Sequence, residues 1–111
     1  MSIVRGEVWT LAGGAGRLSS KPRPVLIVQS DLFEASDFVT VALVTSTLVD
    51  SPTRVPLPTT NQVGLDRESF VMADKLHTVP RANLRTRCGT IPPATMLEVE
   101  RAILVFLGIA R

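Results

Sequence analysis

The sequence predicts an α+β fold, a small twisted β-barrel closed by a single C-terminal helix. Three observations predict it. Several short segments of β-favouring residues follow one another between breaks rich in Gly, Pro and Ser. One segment, residues 93–107, instead carries apolar residues at helical spacing. The 111 residues fit one domain, 1–111, with no room for a second core.

Residues 3–11 read as the first strand, with Ile3, Val8 and Trp9 around a polar Arg5-Gly6-Glu7 step. Gly13-Gly14-Ala15-Gly16 then opens a loop that runs through Ser19-Ser20 to Lys21-Pro22-Arg23-Pro24. Proline on both sides of Arg23 fixes φ at positions 22 and 24 and pushes Lys21 and Arg23 towards extended geometry. Stiff backbone thus delivers Arg23 at a loop-to-strand junction. Residues 25–28 are an uninterrupted aliphatic run, as in a strand buried on both faces. Residues 31–37 form a polar connection with room for a helical turn, and 38–44 another apolar strand ending in Thr45-Ser46-Thr47.

Residues 54–57 suit an edge strand, because Pro56 cannot donate to a central ladder. A further strand covers 69–73 and ends at Asp74-Lys75, with a helical turn at 80–84 and a short last strand at 89–91. The helix at 93–107 has Pro93 at a first helical position and Gly108 at its stop. Met96, Val99, Ile103 and Phe106 make its apolar stripe, while Glu98 and Arg101 face elsewhere.

Hydrophobic residues make up 45% of the chain and charged residues 20%, which excludes a disordered polyelectrolyte. Aromatic residues are few, so the expected core is aliphatic. A domain this short gains from burying an apolar face in a dimer. The net charge of +2 is compatible with a nucleic-acid partner without requiring one. Cys88 is the sole cysteine, which fits a reducing compartment and excludes an intramolecular disulfide. The N-terminal residues lack a signal-peptide pattern, and the longest apolar run, 102–110, is too short to cross a bilayer. These features predict a cytoplasmic protein with no membrane partner.

One Cys, one His and no carboxylate cluster at ligand spacing predict no metal site and no cofactor. His77, in Leu76-His77-Thr78-Val79, weighs as a proton carrier or as a partly exposed strand-end residue, and the second reading fits the sequence better. Arg23 offers a permanently charged planar fork that matches a phosphate and the extra charge of a pentacoordinate phosphorus. Thr45, at the end of a buried strand, has a hydroxyl placed to orient a ribose 2′-OH or a phosphate oxygen, or to bond its own turn. Asp74 follows an apolar strand and suits a proton acceptor, an orienter of Arg23, or a solvated turn carboxylate. Three strand ends, each with one polar residue, make a site if they converge on one rim. Arg81, Arg85 and Arg87, with Lys75 nearby, form a basic run that is either a solvated face or a track for an RNA backbone.

Taken in order, the segments resemble one family. Arg5-Gly6-Glu7-Val8-Trp9 resembles its opening strand, and Arg23-Pro24-Val25-Leu26-Ile27-Val28 its Arg-Pro-aliphatic second strand. Val44-Thr45-Ser46, Gly64-Leu65, the stretch from Ser69 to Asp74, Thr78-Val79-Pro80-Arg81, Gly89 and the Leu107-Gly108 helix end follow in its order. The family is the MazF/PemK group of type II toxin–antitoxin systems. The resemblance implies an SH3-like barrel of the CcdB/PemK kind, a homodimer, and metal-independent, sequence-selective cleavage of single-stranded RNA. Attack by the ribose 2′-OH would leave a 2′,3′-cyclic phosphate and a 5′-hydroxyl. By position Arg23 and Thr45 match the arginine and threonine the family uses around the scissile phosphate, and Asp74 an aspartate that some members use as base. Arg17, Lys21, Ser46 and Lys75 are the expected RNA contacts. The implied partner is an antitoxin whose acidic tail lies across the RNA site.

The loop before Arg23 departs from the family pattern, having neither Glu nor Gln. Two other functions follow from the same barrel: a CcdB-like poison that binds DNA gyrase through the last helix, or a degenerate member serving as a binding module.

Overall fold

The computed structural model describes residues 2–12 and 22–111. The strands are β1 (Glu7–Leu11), β2 (Arg23–Ile27), β3 (Phe38–Thr45), β4 (Arg54–Pro56), β5 (Phe70–Pro80) and β6 (Leu84–Thr90), followed by one helix, α1 (Pro93–Phe106). All strand pairs are antiparallel, in the order β4-β5-β3-β2-β1-β6. This is the α+β architecture expected, with β4 at an edge as Pro56 requires.

The strand order also explains the curl of the sheet. β5 and β6 stand four strand spacings apart, about 19 Å in a flat sheet. Only the 3-10 turn Arg81–Asn83 joins them, and such a turn covers about 8 Å. The sheet therefore rolls to bring β5 and β6 together, and Ala12 N–H, bonded to Asn83 C=O at 2.9 Å, extends the β1–β6 ladder to that turn.

Side-chain alternation divides the apolar residues between the two faces. Trp9, Val25, Ile27, Val39, Val41 and Leu84 fill the inside of the roll. Val8, Leu26, Ala42, Val44 and Val71 point the other way, where Met96, Val99 and Ala102 of α1 cover them. Val8, Leu26 and Val99 have no exposed surface at all. Burying a Val or Leu side chain is worth about 1.5–3 kcal/mol, so this doubly covered sheet carries most of the stability.

Pro93 starts α1, and Gly108, at φ +78°, ends it. Ile109 N–H bonds Leu104 C=O and Gly108 N–H bonds Val105 C=O, the crossed pair that satisfies the last carbonyls. The expected stripe is correct at Met96, Val99 and Ile103, but Phe106 is 48% exposed and Ala102 is buried instead. Residues 104–107 are all 40–52% exposed, so the last turn projects beyond the sheet.

Two strands differ from expectation. The sequence reading ended a strand at Asp74, whereas β5 continues to Pro80. The chain crosses a register shift between its pairings Leu43–Met72 and Ala42–Leu76, and Ala73, Asp74 and Lys75 are the extra residues. Asp74 is thus a mid-strand bulge residue. β6 begins at Leu84 rather than at 89 because it pairs only with β1, and an edge strand tolerates exposed Arg85, Thr86 and Arg87.

The connection 57–69 leaves the β4 edge and crosses to β6, where Thr90 N–H donates to Gln62 C=O at 2.8 Å. Gly64 sits at φ +77°, and a Cβ there would overlap the carbonyl of Cys88. Only glycine permits that approach.

Candidate functional site

Glu7 anchors one end of the sheet. Its Oε1 accepts from Val4 N–H at 2.8 Å and from the Trp9 indole at 3.0 Å, and its Oε2 pairs with Arg87 Nε at 2.6 Å. Burial pushes its carboxyl up, but the Val4, Trp9 and Arg87 hydrogen bonds and the Arg87 charge outweigh it, holding the group below the usual range. Arg87 is therefore committed to the fold. Arg81 donates to the carbonyls of Ser36 and Phe33, and Arg85 to that of Ala82. The basic run at 81–87 is spent on local backbone and on Glu7.

The opposite arrangement holds at the ends of β1, β2 and β3. A groove of about 1030 Å³ opens there, walled by Leu11, Arg23 and Thr45 and by Asp66 and Arg67 of the 57–69 connection. Val25 pairs with Leu43 and Ile27 with Val41, and the same register continued by two residues sets Arg23 opposite Thr45. Leu11 pairs with Arg23 on the other side. Cross-strand partners share a face, so the guanidinium and the hydroxyl point into the same space as Val25 and Leu43.

Within the groove Thr45 Oγ1 accepts from Thr47 N–H at 3.1 Å. That bond fixes the hydroxyl oxygen and leaves its proton to donate outward. Arg54 Nη1 holds the same turn through Thr47 C=O at 2.8 Å. Ser46 also lines the groove and is exposed. Among the described residues no carboxylate forms an ion pair with Arg23 or Arg67. Two arginines against one aspartate give the groove a positive bias suited to a polyanion.

The remaining expected residues lie elsewhere. Asp74 and Lys75 are not among the residues lining the groove, and Lys75 Nζ pairs with Asp74 Oδ2 at 3.3 Å. Burial raises the Asp74 carboxyl, but hydrogen bonds from Lys75, its own backbone and Thr53, with the Lys75 charge, bring it below the usual range. Arg17 and Lys21 fall outside the described residues. Asp66 and Arg67 carry no signal as site residues in the sequence, and His77, weighed there as a proton carrier, reads better as a strand-end residue, yet all three line the groove. For His77 the alternation Leu76-His77-Thr78-Val79 was the available signal, since it places His77 on the same face as the inward Val79. No three His, Cys, Asp or Glu side chains gather as metal ligands among the described residues.

A rolled antiparallel sheet with a cationic, hydroxyl-bearing groove across its strand ends defines a small barrel suited to binding a phosphodiester chain. The chain belongs to the PemK-like, MazF-like toxin family of type II toxin–antitoxin systems, whose family model matches residues 4–107. It is 44% identical over 107 residues to a probable endoribonuclease MazF of Mycolicibacterium smegmatis, covering 96% of this chain and 97% of that one. Endoribonuclease MazF6 of Mycobacterium tuberculosis is 37% identical over 109 residues, covering 93% of this chain and 95% of the relative. Among solved structures, the Mycobacterium tuberculosis toxin MazF-mt6 superposes with a TM-score of 0.80 at 25% identity, over 95% of this chain and 99% of that one. A mycobacterial endoribonuclease in complex with its cognate antitoxin has a TM-score of 0.83 at 24% identity, over 99% of both chains, and so shares the fold.

Proposed function

We propose that this chain is the toxin of a type II toxin–antitoxin pair and acts as an endoribonuclease on single-stranded RNA. The observation that carries the reading is Arg23 opposite Thr45 at the mouth of one groove, in a chain whose relatives are named endoribonucleases. Arg23 takes up the charge that builds on the phosphate oxygens, and the Thr45 hydroxyl donates to a non-bridging oxygen and orients the linkage. The ribose 2′-OH attacks the adjacent phosphorus, leaving a 2′,3′-cyclic phosphate and a 5′-hydroxyl, and no step requires a metal. Ser46, and Arg17 and Lys21 from the loop before β2, contact the RNA backbone. The protein works in the cytoplasm and is restrained by an antitoxin whose acidic segment occupies the same cationic groove.

A homodimer completes the reading. Leu104, Val105, Phe106, Leu107 and Ile109 are 40–71% exposed at the projecting end of α1, and an apolar group of this kind suits burial against a second copy. The same feature gives the gyrase-binding alternative its one support, since Ile109 is exposed rather than a core contact. Deleting residues 109–111 separates the two. Loss of RNA cleavage together with the dimer fits the endoribonuclease, whereas loss of toxicity with cleavage intact fits the poison.

The direct test incubates purified protein with mixed-sequence RNA in EDTA and analyses the new ends. Cyclic phosphate and 5′-hydroxyl ends are expected. Intact RNA, or ends carrying a 5′-phosphate, would overturn the reading.

A further inference from the structure

Cleavage by a 2′-hydroxyl moves two protons, and few groups in the groove can move either. A guanidinium does not release its proton, which removes Arg23 and Arg67. The hydroxyls of Thr45, Ser46, Thr47 and Ser69 are too weakly acidic and basic to serve unaided. Residues 13–21 contain no Asp, Glu or His. Among the described lining residues, Asp66 and His77 remain.

We propose that Asp66 accepts the 2′-hydroxyl proton and that His77 donates a proton to the departing 5′-oxygen. This rests on the endoribonuclease reading and goes beyond it by assigning the acid and the base. The two residues come from separate, firmly held segments. Asp66 lies two residues after Gly64, where the connection is pressed on the Cys88 carbonyl. His77 lies on β5 opposite Val41, in the register that also places Val79 against Val39 inside the roll. Both side chains are exposed to the groove rather than packed away. Asp74 is outside the groove and its carboxylate is engaged by Lys75.

The step balances without another reactant. The 2′-oxygen bonds to phosphorus as its proton passes to the Asp66 carboxylate. The bond from phosphorus to the 5′-oxygen breaks, its electron pair leaves with that oxygen, and the oxygen takes a proton from the His77 imidazolium. Arg23 carries the added phosphate charge meanwhile. Solvent then removes the proton from Asp66 and returns one to His77. Among the described residues, the charged groups that line the groove with His77 are Arg23, Asp66 and Arg67; Lys75 lies two residues before it on the same strand, outside the groove lining, and Val41 opposite it is apolar.

The experiment follows kcat from about pH 5 to about pH 9 for the full chain, His77→Gln and Asp66→Asn, bracketing the range in which imidazole titrates. Two forms of one short RNA are used, with oxygen or sulfur at the bridging 5′ position of the cleaved linkage. A thiolate leaves without being protonated. His77→Gln is expected to lose about 10²–10⁴-fold on the oxygen substrate, to lose the alkaline limb, and to return to within a few-fold of the parent on the sulfur substrate. Asp66→Asn is expected to remain slow on both substrates. His77→Asn, with thermal melting of every variant, guards against a folding artefact. Near-parental kcat of His77→Gln on oxygen, or a deficit that sulfur does not repair, overturns the assignment. If the unmodified protein yields no cyclic phosphate ends, the endoribonuclease reading fails instead, an outcome distinguishable from the first two.

Discussion

Two parts of this small barrel use arginine in opposite ways. At the closed part three guanidiniums are tied down: Arg5 to Glu100 at 2.8 Å and to Val28 C=O, Arg87 to buried Glu7, and Arg81 to the carbonyls of the β2–β3 connection. At the groove, Arg23 and Arg67 meet no carboxylate partner among the described residues. The difference shows that basic residues adjacent in sequence need not form one binding surface. What matters is whether the fold has already satisfied each donor. A guanidinium with its donors uncommitted still has its full electrostatic interaction to give to a phosphate.

Replacing Arg23 by Ala should break this contrast most. About 2–4 kcal/mol of transition-state stabilisation should disappear, read as kcat/KM on RNA, with the melting temperature unchanged. Near-normal cleavage by that variant would remove Arg23 from the mechanism. Gly64→Ala acts on the wall of the groove instead. Its Cβ meets the Cys88 carbonyl at a positive φ, and about 2–3 kcal/mol of stability should be lost in a denaturant titration.

Glu7→Gln sharpens the other half of the comparison. It weakens a charged hydrogen-bond set at the closed part and should cost about 2 kcal/mol at neutral pH, leaving the RNA end chemistry intact. The pH dependence has a definite sign. The folded-state pKa lies below the ordinary 4.5, so ionised Glu7 stabilises the fold above that value, and the contribution fades as pH falls through the folded pKa. The parent protein should therefore lose stability on acidification more steeply than the variant, which thermal melts across that range would reveal. The smallest effect belongs to Asp74→Asn. Because Asp74 lies outside the groove, the change should alter kcat by about twofold or less. A drop of about a hundredfold would restore Asp74 as the base.

The architecture was largely legible in the sequence because its signals are local. The aliphatic run at 25–28, Pro56 at an edge, Pro93 and Gly108 at the helix ends each act within a few residues. Arg23 and Thr45 were legible as polar residues at strand ends, but their facing one another depends on a pairing register between segments far apart in the chain. Asp74 misled because an Asp-Lys pair after an apolar strand looks the same whether the strand stops or bulges. β6 was read too short because Arg85, Thr86 and Arg87 carry no apolar period, and only pairing with β1 makes that segment a strand. Asp66 and Arg67 gave no local signal at all. They reach the groove because the connection that carries them crosses the molecule.

The placement of β1 between β2 and β6 has a consequence for synthesis in the cell. The ladder that pairs Glu7 with Thr90 joins segments far apart in the chain, so the barrel cannot close until β6 has been made. A nascent polypeptide therefore holds β1 with one of its two sheet neighbours missing until β6 emerges from the ribosome.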